Sequence, residues 1–351
     1  MIWAMIRRLV CVVLVAGAFC APATSALAQA PQTLPPGIGV KLLQGPADSV
    51  DNPRAHEYII DHLTPGTLIS RQIGFTNGDA QPADLSFYAA AADIRGGVFE
   101  PGPDRAANEL TSWMTFAPAS ATVQPGQTLP VTVTISVPAD ATAGERYAAA
   151  LGERSSAPSV IGGVAAVSRV GIRIYLSVGP GGAPPTAFTI DSMTARRDTD
   201  GHPLVTAKVH NTGERAVDLS GRLELMNGPS SLSAGPFPVR TAATLSPGET
   251  GDVSVALDPA LPNGPWDARI TLVSGVTSAV GTAQLTFPSA NGTSAAPTAV
   301  REAGGSPPLA VAALAVAALV ILLLLGVAVR GRQGRAKSAG GPSPSGLTLT
   351  P

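Results

Sequence analysis

From Thr128 to Pro138 the chain alternates: Val131, Val133, Ile135 and Val137 are apolar, and Thr132, Thr134 and Ser136 between them are polar. A period of two sends one row of side chains into a core and the other into water, so this stretch is predicted to be a β-strand. The same pattern runs through ISRQIGFTN, with Ile69, Ile73 and Phe75, and recurs in ADLSFYAA, GIRIYLSV, LVTAKVHN and GRLELMN. Proline and glycine clusters separate these runs, and between the two chain ends no stretch sustains a helical period. Many short strands with turn signals between them predict an all-β fold.

A repeat organises the strands. Asn77-Gly78 closes one alternating run, residues 85–89 follow, Pro125-Gly126 turns into the next run, and Gly144 precedes ERYAAAL. In the same order come Asn211-Thr212-Gly213, residues 217–225, Pro247-Gly248 before DVSVALD, and Gly264 before PWDARITL. The spacing from each Pro-Gly turn to the later glycine is about 19 and about 17 residues. Two tandem immunoglobulin-like β-sandwiches are therefore expected, over residues 37–180 and 186–288, divided at GPGGAPPT.

The chain ends obey different physics. Arg7 and Arg8, an apolar run and Ala26-Leu27-Ala28 read as a signal peptide over residues 1–28, cleaved between Ala28 and Gln29. Residues 309–329 are uncharged and apolar, long enough at about 1.5 Å per residue to cross a hydrocarbon core of roughly 30 Å. A C-terminal transmembrane α-helix is expected there, followed by Arg330, Arg332, Arg335 and Lys337 in a basic cytoplasmic tail over residues 330–351. Residues 289–308, rich in Ser, Ala, Gly, Thr and Pro, read as a flexible stalk. The expected localisation is the cell membrane, single-pass, with the N-terminal domains extracellular and the tail cytoplasmic.

Composition narrows the chemistry. Both cysteines, Cys11 and Cys20, lie in the signal, which leaves no disulfide and no thiolate nucleophile after cleavage. A net charge of −1 with 13% charged residues excludes a nucleic-acid surface, which needs a clustered basic face. The residue four after His56 is Ile60, so no helical pair of zinc-binding histidines forms; His202 and His210 read as strand-end residues. Asp198 and Asp200 before Gly201 fit a hairpin tip better than a calcium loop, which needs roughly six to eight ligands. No catalytic residue, metal or cofactor is expected, and the chain is read as a non-enzyme. Most aromatics fall at core-like strand positions; Trp113 is the one candidate for ligand binding.

One resemblance extends this reading. Pro65-Gly66 before a strand ending in Asn77, Trp113 ahead of Pro125-Gly126, and a return from Pro138 through Gly144 to Tyr147 resemble the N-terminal domain of bacterial WxL-interacting proteins over residues 39–178. The resemblance implies a cell-wall-associated, adhesive or scaffolding surface protein. Its first sandwich would bind peptidoglycan, and its further partners would be WxL-domain surface proteins or host proteins. The alternatives are a pilus-type assembly or export chaperone and the extracellular subunit of a membrane sensor complex.

Overall fold

The computed structural model describes residues 35–46, 49–155, 167–239 and 243–302. Among these, ten strands build a first module: β1 (Ile38–Leu42), β2 (Ile59–Leu63), β3 (Leu68–Asn77), β4 (Ala83–Arg95), β5 (Val98–Pro101), β6 (Met114–Ala117), β7 (Ser120–Val123), β8 (Thr128–Ser136), β9 (Gly144–Ser155) and β10 (Val167–Val178). One sheet runs β1-β3-β8-β6 and the other β2-β10-β9-β4-β5, with β7 also on β4. Among the described residues only single-turn helices interrupt them, α1 (Arg54–Glu57) and α2 (Glu109–Ser112). The fold is all-β, and the strands expected from alternation fall within β3, β4, β8 and β10, with β12 and β14 below.

Alternation explains how these sheets face each other. Ile73 and Phe75 of β3 and Val131, Val133 and Ile135 of β8 share one core with Phe87 of β4, Ala148 and Ala150 of β9, and Ile172, Ile174 and Leu176 of β10. Phe75 and Phe87 meet at 4.8 Å between ring centroids. Fully burying each such aliphatic side chain contributes about 1.5–3 kcal/mol.

Eleven strands among the described residues build the second module: β11 (Phe188–Arg197), β12 (Pro203–Asn211), β13 (Val217–Asp218), β14 (Ser220–Met226), β15 (Ala234–Pro238), β16 (Thr244–Leu245), β17 (Thr250–Ala256), β18 (Trp266–Ser274), β19 (Thr277–Leu285), β20 (Thr298–Ala299) and β21 (Arg301–Glu302). They form sheets β17-β12-β11-β20 and β15-β14-β18-β19-β21 and a small ribbon, β13-β16. Val205, Val209, Val253 and Val255 of the first sheet share a core with Leu223, Leu225, Ile270 and Trp266 of the second.

The repeat has a physical core in two asparagines, both fully buried. Asn77 Nδ2 donates to the Gln81 and Val123 carbonyls, and its Oδ1 accepts from Asp79 N. Asn211 Nδ2 donates to the Arg215 and Leu245 carbonyls, and its Oδ1 accepts from Gly213 N. Each asparagine carbonyl also accepts from the glycine of a Pro-Gly turn, Gly126 or Gly248. Those glycines have φ of 74° and 75°, a region that an L side chain rarely enters. One asparagine thus ties a strand end, a tight bend and a Pro-Gly turn together in each module, the bend through its side-chain amide and the turn through its main-chain carbonyl.

Two expectations are corrected. Residues 289–302, read as the start of a stalk, instead pack on the second module: Arg197 N donates to Thr293 O, Ala295 N to Ala195 O, and β20 and β21 pair with β11 and β19. The single-pass membrane localisation is withdrawn, because among the described residues no helix is long and apolar enough to cross a membrane. The expected span at 309–329, the tail at 330–351 and the signal with Ala28 and Gln29 lie outside the described residues.

Replacing either asparagine strands one buried carbonyl, one partly buried carbonyl and one amide, and a buried group left unsatisfied costs about 1–3 kcal/mol. Asn77→Ala and Asn211→Ala should each lower the urea midpoint by the equivalent of about 2–3 kcal/mol, with the other module's buried tryptophan reporting whether unfolding stays coupled.

Candidate functional site

The second half of β10 carries the joint between the modules. Tyr175, 1% exposed, points outward from the first core and lies 5.2 Å from Phe99, 5.9 Å from Tyr58 and 5.9 Å from Tyr147, ring to ring. Ala216 of the second module seats on this cluster with Ile60 and Ala92. Such edge-on and tilted contacts add about 0.5–1.5 kcal/mol per pair beyond area burial.

Around the rings runs a set of charges that converge on Asp218. Arg54 Nε donates to Asp218 Oδ2 at 2.9 Å. Asp218 Oδ1 accepts from Thr244 Oγ1 at 2.7 Å, Tyr175 Oη at 3.0 Å and Arg173 Nη1 at 3.3 Å. Three of these four donors come from the first module. The β13-β16 ribbon places Asp218 opposite Thr244, whose N–H also donates to Gly97 O at the β4-β5 turn. Burial first, and the Asp218 charge next, hold the Tyr175 phenol well above the usual tyrosine range, so it stays a donor.

A second carboxylate completes the joint. Glu145 Oε2 accepts from Ala216 N at 2.6 Å and from Tyr147 Oη at 2.7 Å. Its pKa is raised by burial, against the lowering effect of those two bonds and of Arg215. Arg215 is half-buried beside it and is held below the usual arginine value, by burial foremost.

The first half of β10 is built differently. Its residues 167–173 pair with β9 on one side, whereas β2 begins only at Ile174 on the other. Across the gap stands β1, which pairs with β3 alone. Val40 is the register partner of Phe75, a Cβ on Gly152 would stand 2.5 Å from the Phe75 ring, and Gly152 is the register partner of Val170. Val40 and Val170 therefore face each other across a seam between the sheets. Ile38, Val40, Leu42 and Val170 are half-buried against the first core, and two strand edges beside them lack a β partner among the described residues. One end of the seam is fastened by Asp79, which accepts from Gly37 N at 2.7 Å and pairs with Arg154. The Gly37 N–H, then Arg154, hold its pKa below the usual carboxylate range.

On the outer face beside this edge lies a second network. Tyr88 Oη donates to Glu153 Oε2 at 2.5 Å, Arg169 Nε to Glu153 at 2.8 Å, and Arg169 Nη2 to Asp104 at 2.8 Å. Burial and the Glu153 carboxylate push Tyr88 up to about 12.

The residues singled out from sequence are scattered. Trp113 is 7% exposed in the first core, with the Arg146 guanidinium 5.0 Å over its ring, so little of it is open to a ligand. Asp198 caps its own turn, accepting from the Asp200 and His202 amides, and Gly201 N donates to its carbonyl. The carboxylates and His202 come within 4.8 Å of one another, but Asp200 and His202 are solvated. His56 bonds to Val50 O, and His62 Nδ1 lies 2.8 Å from Ser177 Oγ. Ser177 is 1% exposed, which keeps any substrate from that pair. The joint residues Arg54, Glu145, Arg173 and Asp218 carry no motif, being up to 164 positions apart. Only the outward placement of Arg173 and Tyr175 on an alternating strand hinted at them.

No family model and no curated protein matches the chain. Among solved structures it is similar to the Salmonella enterica SafA pilin in complex with the SafB chaperone, at 10% identity over 72% of this chain and 98% of that chain, with a TM-score of 0.39. The YadV chaperone matches at 13% identity, 71% and 99% coverage and a TM-score of 0.37. A CsuC-CsuE chaperone and tip adhesion subunit complex from Acinetobacter baumannii matches at 14%, 65% and 95%, with a TM-score of 0.33.

Two substitutions separate the halves of the joint. Asp218→Ala leaves the 11%-exposed Arg54 without its carboxylate, at a cost of about 3–5 kcal/mol, and should turn one calorimetric unfolding transition into two. Glu145 has a folded pKa above its unfolded one, so the stability it contributes is present at low pH and is lost as pH rises through the folded value. Glu145→Gln keeps an acceptor for Ala216 N and Tyr147, and should therefore gain relative to wild type as pH is raised from about 4 to about 8. A stability difference that is flat across that range would refute the assignment.

Proposed function

We propose that this chain is a non-catalytic protein of two immunoglobulin-like sandwiches that holds a partner polypeptide by strand addition at the seam between β1 and β10. The observation that carries the reading is the seam itself: two facing strand edges that, among the described residues, lack β partners above four half-buried apolar side chains. An extended peptide laid there gains main-chain hydrogen bonds from an edge and packs every second side chain on Ile38, Val40, Leu42 and Val170. This is the behaviour of an assembly or export chaperone, and the geometry favours it over peptidoglycan binding. A glycan platform needs open aromatic faces, and Trp113, Tyr175 and Phe99 are buried. Membership of the WxL-interacting family fits the same reading where that family's partners are surface proteins.

The second module supports the contrast. There, β20 joins the β11 sheet and β21 the β19 sheet, so residues 298–302 bridge the corresponding gap. The first module has no such bridge among the described residues.

Displayed random nonapeptides selected on the full chain test this. The expected winners alternate apolar and polar residues, and their affinity falls at least about tenfold in Val170→Lys and Val40→Lys, since an edge lysine blocks strand pairing. Amides of residues 167–173 should gain protection from hydrogen exchange when the peptide is bound. Winners without alternation, or binding indifferent to both lysines, would overturn the proposal.

A further inference from the structure

Along the outer face of the open half of β10 the side chains read Arg169, Gly171, Arg173. Gly171 is exposed, yet a Cβ there would stand 2.5 Å from Leu151 Cδ2 and 2.6 Å from Ala150 O. The chain therefore cannot place a side chain between the two arginines without moving backbone. The result is a trough of about 310 Å³, floored by Ala149, Leu151 and Gly171, closed at one end by Pro101 and Gly102, and walled by Arg169 and Arg173. Among the described residues none beyond the free edge of β10 lines it, so it opens toward the same edge that forms the seam.

The walls are fixed and already neutralised. Arg169 is held by Glu153 and Asp104, and Arg173 by Asp218. A carboxylate entering the trough would meet guanidiniums whose charge is answered, with three carboxylates close behind them. An aromatic ring meets none of that repulsion: its face attracts a guanidinium by its quadrupole, and its area suits an apolar floor. The protein uses this pairing in its own structure, with Arg173 5.3 Å from the Tyr58 ring centre and 5.1 Å from that of Phe99, and Arg105 3.9 Å from that of Tyr88. A ring on a neighbouring strand is also the side chain that best covers an edge glycine.

We infer that the trough over Gly171 is a specificity pocket, which takes one aromatic side chain projecting outward from a partner strand paired with β10. This rests on the strand-addition reading above and adds what that reading lacks: the inward row of the partner is read for apolar character, and one outward position is read for a ring.

A host nonapeptide from the display selection, with Ala at its outward positions, tests it on the full chain. Tyr, Leu or Asp replaces each outward Ala in turn, and binding is measured by fluorescence anisotropy. The expected result is that Tyr at a single position tightens binding roughly fivefold over Ala, with Leu gaining less and Asp nothing. Arg169→Lys keeps a charge for Glu153 and Asp104 but loses the planar guanidinium, and should remove that gain while leaving host binding unchanged. In the wild-type chain the Gly171 amide proton should show a ring-current shift with the Tyr peptide and none with the Leu peptide. Equal affinity for all guests, with host binding still abolished by Val170→Lys, would sink the pocket and leave strand addition standing. Tightest binding by Asp would sink it as well, in favour of charge recognition. Failure of every peptide to bind would remove both readings.

Discussion

The arrangement of the two modules depends on one carboxylate. Asp218 sits on a two-strand ribbon too small to be stable alone, yet it accepts hydrogen bonds from Arg54, Arg173 and Tyr175 of the other module and from Thr244 of its own. Oδ1 takes three of these donors and Oδ2 the Arg54 guanidinium, so both oxygens are answered, which is the condition for a mostly buried charge to be tolerated. The aromatic cluster supplies apolar area beneath it, and the Gly97–Thr244 backbone bond sets the distance. With these in place the second module covers the outer face of β10 near Tyr175 and, among the described residues, leaves the face around Gly171 uncovered.

That division gives one strand two roles. From Ile174 onward β10 is paired on both sides, buried on its inner face and seated under the second module on its outer one. Before Ile174 it is paired, among the described residues, on one side only, beside a half-exposed apolar row. Edge strands of this kind are a liability that proteins ordinarily cover, twist away or charge. Residues 298–302 cover the equivalent gap in the second module, so the fold has a means of closing such a seam, used among the described residues in the second module alone. For the proposed strand addition the rigid half would matter, because a strand held in place by β9 and the joint loses little conformational entropy on pairing.

The charged residues follow the same logic. With 13% of its residues charged, the chain places many of its arginines against carboxylates or over rings: Arg71 on Asp61 at the end of the first core, Arg154 on Asp79 at the seam, Arg146 on Glu109 and above Trp113. The guanidinium suits these places because it is planar and weakly hydrated, so it can bond in its plane and stack on its faces at once. Charge here joins strands, sheets and modules, and the described residues bring together no nucleophile, base and accessible cleft.

What the sequence determined by itself is local. Alternation set the strands because side-chain direction in extended backbone has a period of two, whatever the neighbours are. The repeated Asn and Pro-Gly positions marked two equivalent modules because each asparagine bonds through its side chain within a few residues and through its main-chain carbonyl to a turn of fixed geometry. Sequence misjudged residues 289–302, whose small and polar composition suits a stalk, because the pairing that holds β20 and β21 uses backbone groups that every residue carries. The joint, the seam and the trough were decided only by tertiary structure. Arg54 and Asp218, or Val40 and Val170, become neighbours only once several strands have paired in register, and no local period records which edge that pairing leaves open.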